Sequence, residues 1–169
     1  FNEGNSVQQT DDGGYIVTGY TYSEHSGTWD RDIWLIKFNS GGGTVWTSKL
    51  GGSSHDEGYS VQQTDDGGYI ITGTFGCKLF LVKTNSTGGY IWTQSYGDCH
   101  GEIGRSVRLT QDGGYIITGF FGESSDIWLI KTDWLGYQEW NKTFGGTDED
   151  YGYSVQQTQD GGYISTGTF

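Results

Sequence analysis

Ser60-Val61-Gln62-Gln63-Thr64-Asp65-Asp66-Gly67-Gly68-Tyr69-Ile70-Ile71-Thr72-Gly73 is the stretch that decides the fold. Two strand-forming runs flank Asp65-Asp66-Gly67-Gly68, and adjacent glycines supply the positive φ that a tight hairpin turn needs. Its first five residues, Ser-Val-Gln-Gln-Thr, begin again at Ser6 and at Ser154, each time followed by Asp-Gly-Gly-Tyr-Ile and then Thr-Gly. It recurs once more from Ser106, with Arg108 and Leu109 in place of the two glutamines.

Working outward, each hairpin is followed by a second pair of landmarks. Ile33-Trp34-Leu35-Ile36-Lys37 is matched by Leu79–Lys83 and Ile127–Lys131, and a tryptophan then follows at 46, 92 and 140. The first unit therefore reads as four strands: A at Ser6–Thr10, B at Tyr15–Thr21, C at Asp32–Phe38 and D at Thr44–Leu50. The intervals Val7 to Gly19 and Trp34 to Trp46 are both 12 residues, and Trp46 to Val61 is 15, with the same spacing in the later units. Only the B–C connection varies: Gly19 to Trp34 is 15, Gly73 to Phe80 is 7 and Gly119 to Trp128 is 9.

Strand C is apolar on both faces, with Ile33 and Leu35 on one and Trp34, Ile36 and Phe38 on the other. A sheet buried on both faces in every repeat is a sheet stacked on its own copies. Radial stacking of four-stranded units with a period near 40–50 residues predicts an all-β chain of β-propeller blades. A β-solenoid is the rival, with coils usually shorter than these. The expected organisation is a single domain spanning 1–169, with units at about 4–55, 56–100, 101–150 and a partial unit at 151–169. Three full blades and one half blade read as a partial propeller or fragment, completed by a parent protein or by an assembly of chains.

Three quoted segments carry a resemblance. Gly152-Tyr153-Ser154-Val155-Gln156-Gln157-Thr158 with Asp160-Gly161-Gly162-Tyr163-Ile164, Asp126-Ile127-Trp128-Leu129-Ile130-Lys131-Thr132, and Trp140 with Lys142 and Phe144-Gly145-Gly146 resemble kelch-like and WD-like propeller repeats. Those repeats are common in secreted and cell-surface proteins of bacteria and archaea. The resemblance implies a propeller and an extracellular or cell-surface setting. It implies no particular chemistry, although some such repeats sit in proteins labelled as glycan-degrading.

Charge narrows the partners. A net charge of −12 offers no basic patch for phosphates, so no nucleic acid is expected. No apolar run reaches the ~18 residues of a membrane span, so no membrane insertion is expected. The A–B and C–D turns lie at one end of the units, and the variable B–C loops and D–A connections lie at the other. Thirteen of the 21 acids and all three histidines map to that second end. Variable loops on a constant scaffold are where recognition is usually placed. Tyr22, His25, Trp29 and Asp30 of the longest B–C loop, Tyr22–Arg31, join His55, Asp56 and Glu102 as candidate ligand-binding residues. The loop is expected to be the most exposed and most adaptable segment, with Trp29 suited to stacking on a sugar ring. Asp148, Glu149 and Asp150 are candidate ligands for Ca²⁺, a hard cation that prefers oxygen donors.

Each feature also has a structural reading. Asp56, Glu102 and Asp150 share one repeat position and suit capping of their own loop amides. The aspartates at 12, 66, 112 and 160 suit the A–B turn, with Lys37, Lys83 and Lys131 neutralising it. The repeated tryptophans suit the core, and the Gln-Gln pairs the axis. No catalytic constellation stands out, and paired carboxylates for glycoside hydrolysis cannot be singled out among so many acids.

The expected function is a non-catalytic binding or display module that holds a glycan, a protein or a cation at the B–C/D–A end. The alternatives are part of a propeller enzyme acting on carbohydrate, or a purely structural repeat. Self-association, or cover by the parent protein's blades, is expected at the open sheet faces. Cys77 and Cys99 occur together in one unit and in no other, which predicts a disulfide. Two thiols, or with His100 part of a metal site, are the alternatives.

Overall fold

The computed structural model describes residues 2–25, 27–122 and 126–168. Among them are fourteen antiparallel strands and no helix. The first sheet is β1 (Glu3–Gln9), β2 (Tyr15–His25), β3 (Thr28–Phe38) and β4 (Thr44–Leu50), in that spatial order. The second is β5 (Asp56–Gln63), β6 (Tyr69–Phe75), β7 (Lys78–Thr84) and β8 (Tyr90–Tyr96). The third is β9 (Ile103–Leu109), β10 (Tyr115–Phe121), β11 (Asp126–Thr132) and β12 (Gln138–Phe144). β13 (Tyr151–Gln157) and β14 (Tyr163–Thr168) form a two-stranded fourth sheet. The sheets remain open.

Alternating residues of the middle strands fill three separate cores, one at each boundary between successive sheets. Ile16, Ile33 and Leu35 of the first sheet pack with Val61, Tyr69, Ile71, Phe80 and Val82 of the second. The opposite face of the second sheet, Ile70, Leu79 and Leu81, packs with Val107, Ile117 and Ile130 of the third. Ile116 and Leu129 continue the stack onto Val155 of the fourth. One aromatic pair repeats at each boundary: Trp46 with Tyr69, Trp92 with Tyr115 and Trp140 with Tyr163, with ring centres 5.6–6.2 Å apart. Edge-on and tilted ring pairs of this kind add to the stabilisation from the area they bury.

The glutamines join neighbouring first strands. Gln8 Oε1 accepts the Gln63 N–H at 2.7 Å, and Gln62 Oε1 accepts the Leu109 N–H at 2.9 Å. At the A–B turns Asp12, Asp66 and Asp112 each accept a threonine hydroxyl and a glycine amide. Each also pairs with its lysine, at 2.9 Å for Lys37 and 2.8 Å for Lys83 and Lys131. The lysine side chains are almost wholly buried, so the turn aspartate supplies the counter-charge each requires.

Cys77 and Cys99 form a disulfide with Cα atoms 4.7 Å apart. It ties the β6–β7 turn to the β8–β9 connection. The Tyr22–Arg31 reading needs correction. This segment is not an adaptable loop; it extends the β2–β3 hairpin, with Tyr22 opposite Arg31 and His25 opposite Thr28.

Candidate functional site

The acidic loop end is mostly engaged internally. Asp56 is fully buried; its two oxygens accept the Gly52 and Gly76 amides at 2.9 and 2.8 Å. Burial raises its pKa most; the two amides oppose that rise and nearby Asp32 adds to it. Glu102, also fully buried, accepts the Asp98 and His100 amides. Asp150 is buried and accepts the Gly146 amide at 2.9 Å. These carboxylates close their own connections, so Asp56 and Glu102 do not face a ligand. With Asp150 turned inward and Glu149 accepting the Tyr151 hydroxyl, Asp148–Asp150 does not assemble a Ca²⁺ site. Among the described residues no three His, Cys, Asp or Glu side chains gather to hold a metal.

The extended hairpin distributes the other candidates. His25 Nε2 lies 3.2 Å from Asp32, and His55 Nδ1 lies 3.3 Å from buried Asp30 across the sheet boundary. Trp29 stands near the hairpin tip, 63% exposed. Tyr22 accepts a hydrogen bond from Arg31 Nε at 3.4 Å, and Arg31 then pairs with Glu57 of the second sheet. Those bonds, to Tyr22 first and Glu57 next, raise the Arg31 pKa.

Residues the sequence reading did not single out build a groove beside this network. Every first strand carries a bulge: the register skips Asn5 between Gly4 and Ser6, Tyr59 between Gly58 and Ser60, Arg105 between Gly104 and Ser106, and Tyr153 between Gly152 and Ser154. A bulge re-aims one side chain out of the ladder. The four bulge residues converge, with Tyr20, Glu3, Arg31 and Glu57, on a groove of about 550 Å³. A glycine is required opposite each bulge. A Cβ on Gly73 would collide with the Glu57 carbonyl oxygen, and Gly19, Gly119 and Gly167 are equally confined. The recurring pair of glycines, 58 and 73 and their counterparts, was the signal in the sequence for this feature.

Within the groove most charges are matched. The Tyr20 hydroxyl donates to Glu3 at 2.8 Å and the Tyr59 hydroxyl to Glu57 at 2.7 Å. Burial first, then the bond to Glu57, pushes the Tyr59 pKa up to about 12. Arg105 differs. Its guanidinium lies 4.5 Å from the Tyr59 ring centre and 5.8 Å from that of Phe120. Its Nε is buried with no hydrogen-bond partner.

Fold and groove together define an all-β protein of serially stacked four-stranded antiparallel sheets. No known protein family matches the chain, and no curated protein does. Its fold is similar to the crystal structure of a protein of unknown function from Bacteroides caccae, with a TM-score of 0.62 at 15% identity. The match covers 95% of this chain and 51% of that one, so the chain spans about half the length of that solved protein.

Proposed function

We propose that the chain is a run of β-propeller blades acting as a non-catalytic binding or display module of a secreted or cell-surface protein. Its ligand occupies the bulge-lined groove at the B–C/D–A end. The observation that carries this reading is Arg105, a guanidinium over the Tyr59 ring and near that of Phe120, left without an acidic partner among the described residues. Tyrosine and arginine are the residue types that dominate protein contacts, and here they come from successive sheets onto one groove. The fitting ligand is a protein segment presenting a carboxylate, which a guanidinium binds through two parallel hydrogen bonds. The disulfide supports a secreted setting. Val7, Val45 and Ile164 are each more than half exposed on the outer sheets, and further blades or other copies would cover them.

Selection of a random peptide library on the immobilised protein tests the reading. Acidic peptides that do not bind the Arg105→Asn variant should be enriched. No enrichment, or enrichment indifferent to that substitution, contradicts it.

A further inference from the structure

The opposite end of the stack holds a larger cleft, of about 960 Å³, between the second and third sheets. It is independent of the bulge groove. The repeat itself explains why it opens there. At the first boundary Gln63 Oε1 accepts the Asp11 amide at 2.9 Å, and at the third Gln157 Oε1 accepts the Gln111 amide at 2.8 Å. At the second boundary the matching residue is Leu109, which offers Asp65 no acceptor.

Departures from the repeat collect around this cleft. Arg108 stands where the other units have Gln8, Gln62 and Gln156, and Trp134 where they have Ser40 and Ser86. Leu109 replaces glutamine, and Leu135 replaces Gly41 and Thr87. All four line the cleft. Residues that recur serve the scaffold, since every unit needs them. Residues that depart together and meet at one cavity serve something the other units do not.

Their chemistry is specific. Trp134 is 64% exposed, on a turn pinned by Asp133, which accepts the Leu135 and Tyr137 amides at 2.9 and 2.8 Å. The Tyr96 hydroxyl ties the same turn at 2.6 Å by donating to the Gly136 carbonyl. An exposed indole on a pinned turn is a platform for a sugar ring. Arg108 is half-buried and donates to the Val107 carbonyl at 2.8 Å, with no ion pair among the described residues. Lys83 in the same wall is neutralised by Asp66, and Asp65 lies on the exposed turn. Burial lowers the Arg108 pKa, because desolvation penalises the charged form.

We propose that this cleft binds an oligosaccharide bearing a carboxylate, of the uronic-acid type, with Trp134 beneath a sugar ring and Arg108 on the carboxylate. The neutral hydroxyls meet the Gln156 amide of the lining.

Isothermal titration with oligogalacturonate and with a neutral galactan oligosaccharide of equal length tests it. Variants W134S and R108Q restore the residues of the other units, which the fold already accepts. Wild-type protein should bind the acidic sugar more tightly than the neutral one. W134S should weaken binding at least tenfold, R108Q should abolish the preference for acid, and R105N, at the other end, should change neither. Absence of binding by the wild type overturns the proposal. So does binding that W134S leaves intact, a preference that R108Q leaves intact, or binding that R105N weakens.

Discussion

The Arg105 guanidinium packs against the Tyr59 ring across the boundary between the third and second sheets, 4.5 Å from the ring centre. Tyr59 is committed through its hydroxyl to Glu57, and Glu57 to Arg31, so the stack sets a cation beside a closed network. A cation over an aromatic face contributes about 0.5–2 kcal/mol. With no ion pair to break, Arg105→Asn should cost no more than about 2 kcal/mol in urea unfolding. A loss several times larger would make Arg105 a structural residue.

The bulge predicts a sharp contrast between glycines. A Cβ at Gly73 would strike the Glu57 carbonyl, whereas one at Gly52 meets nothing. Gly73→Ala should cost about 3 kcal/mol or prevent folding, while Gly52→Ala should fall within about 0.5 kcal/mol of wild type. Chemical denaturation of the two variants compares them directly.

Acid should loosen the turn end. The Lys131 ammonium, then the Thr110 hydroxyl and the Gly114 amide, hold Asp112 down at about 2. For Asp66 burial acts upward, but Lys83, Thr64 and Gly68 together outweigh it and leave about 2. The unfolded carboxylate titrates near ~3.9. A depressed folded pKa gives stability that is whole above ~4 and is lost as pH falls toward ~2. Melting temperature should therefore drop through that window. Asp66→Asn, which strands buried Lys83, should lower stability by about 1–3 kcal/mol at neutral pH and flatten the acid limb.

The disulfide closes a loop between residues separated by 22 positions. Such closure contributes about 3 kcal/mol in the chain-entropy account. Denatured, unreduced protein should show no titratable thiol, and C77S/C99S should unfold at correspondingly lower denaturant. Two thiols per chain, or an unshifted midpoint, would contradict the bridge.

What the sequence revealed follows from what recurs. The Asp–Lys turns, the packing of Trp46, Trp92 and Trp140 against the cores and the capping role of Asp56, Glu102 and Asp150 all occupy fixed repeat positions, so spacing alone places them. The bulges escaped notice because an extra residue present in every first strand leaves every interval unchanged. The Tyr22–Arg31 segment was misread because its length set it apart from the other units, yet its pairing simply continues through Tyr22 and Arg31 to His25 and Thr28. The apparent acidity of the loop end misled for a related reason. Most of its carboxylates satisfy backbone amides or neighbouring Arg, His and Tyr side chains, and sequence shows a charge but not the bond that engages it.

The most direct test of the loop-end reading is isothermal titration of one selected acidic peptide into wild-type protein, R105N and R105K. The account predicts at least a tenfold loss of affinity in R105N and partial retention in R105K, with both variants folded as wild type. Equal affinity for all three would place the ligand elsewhere and contradict it.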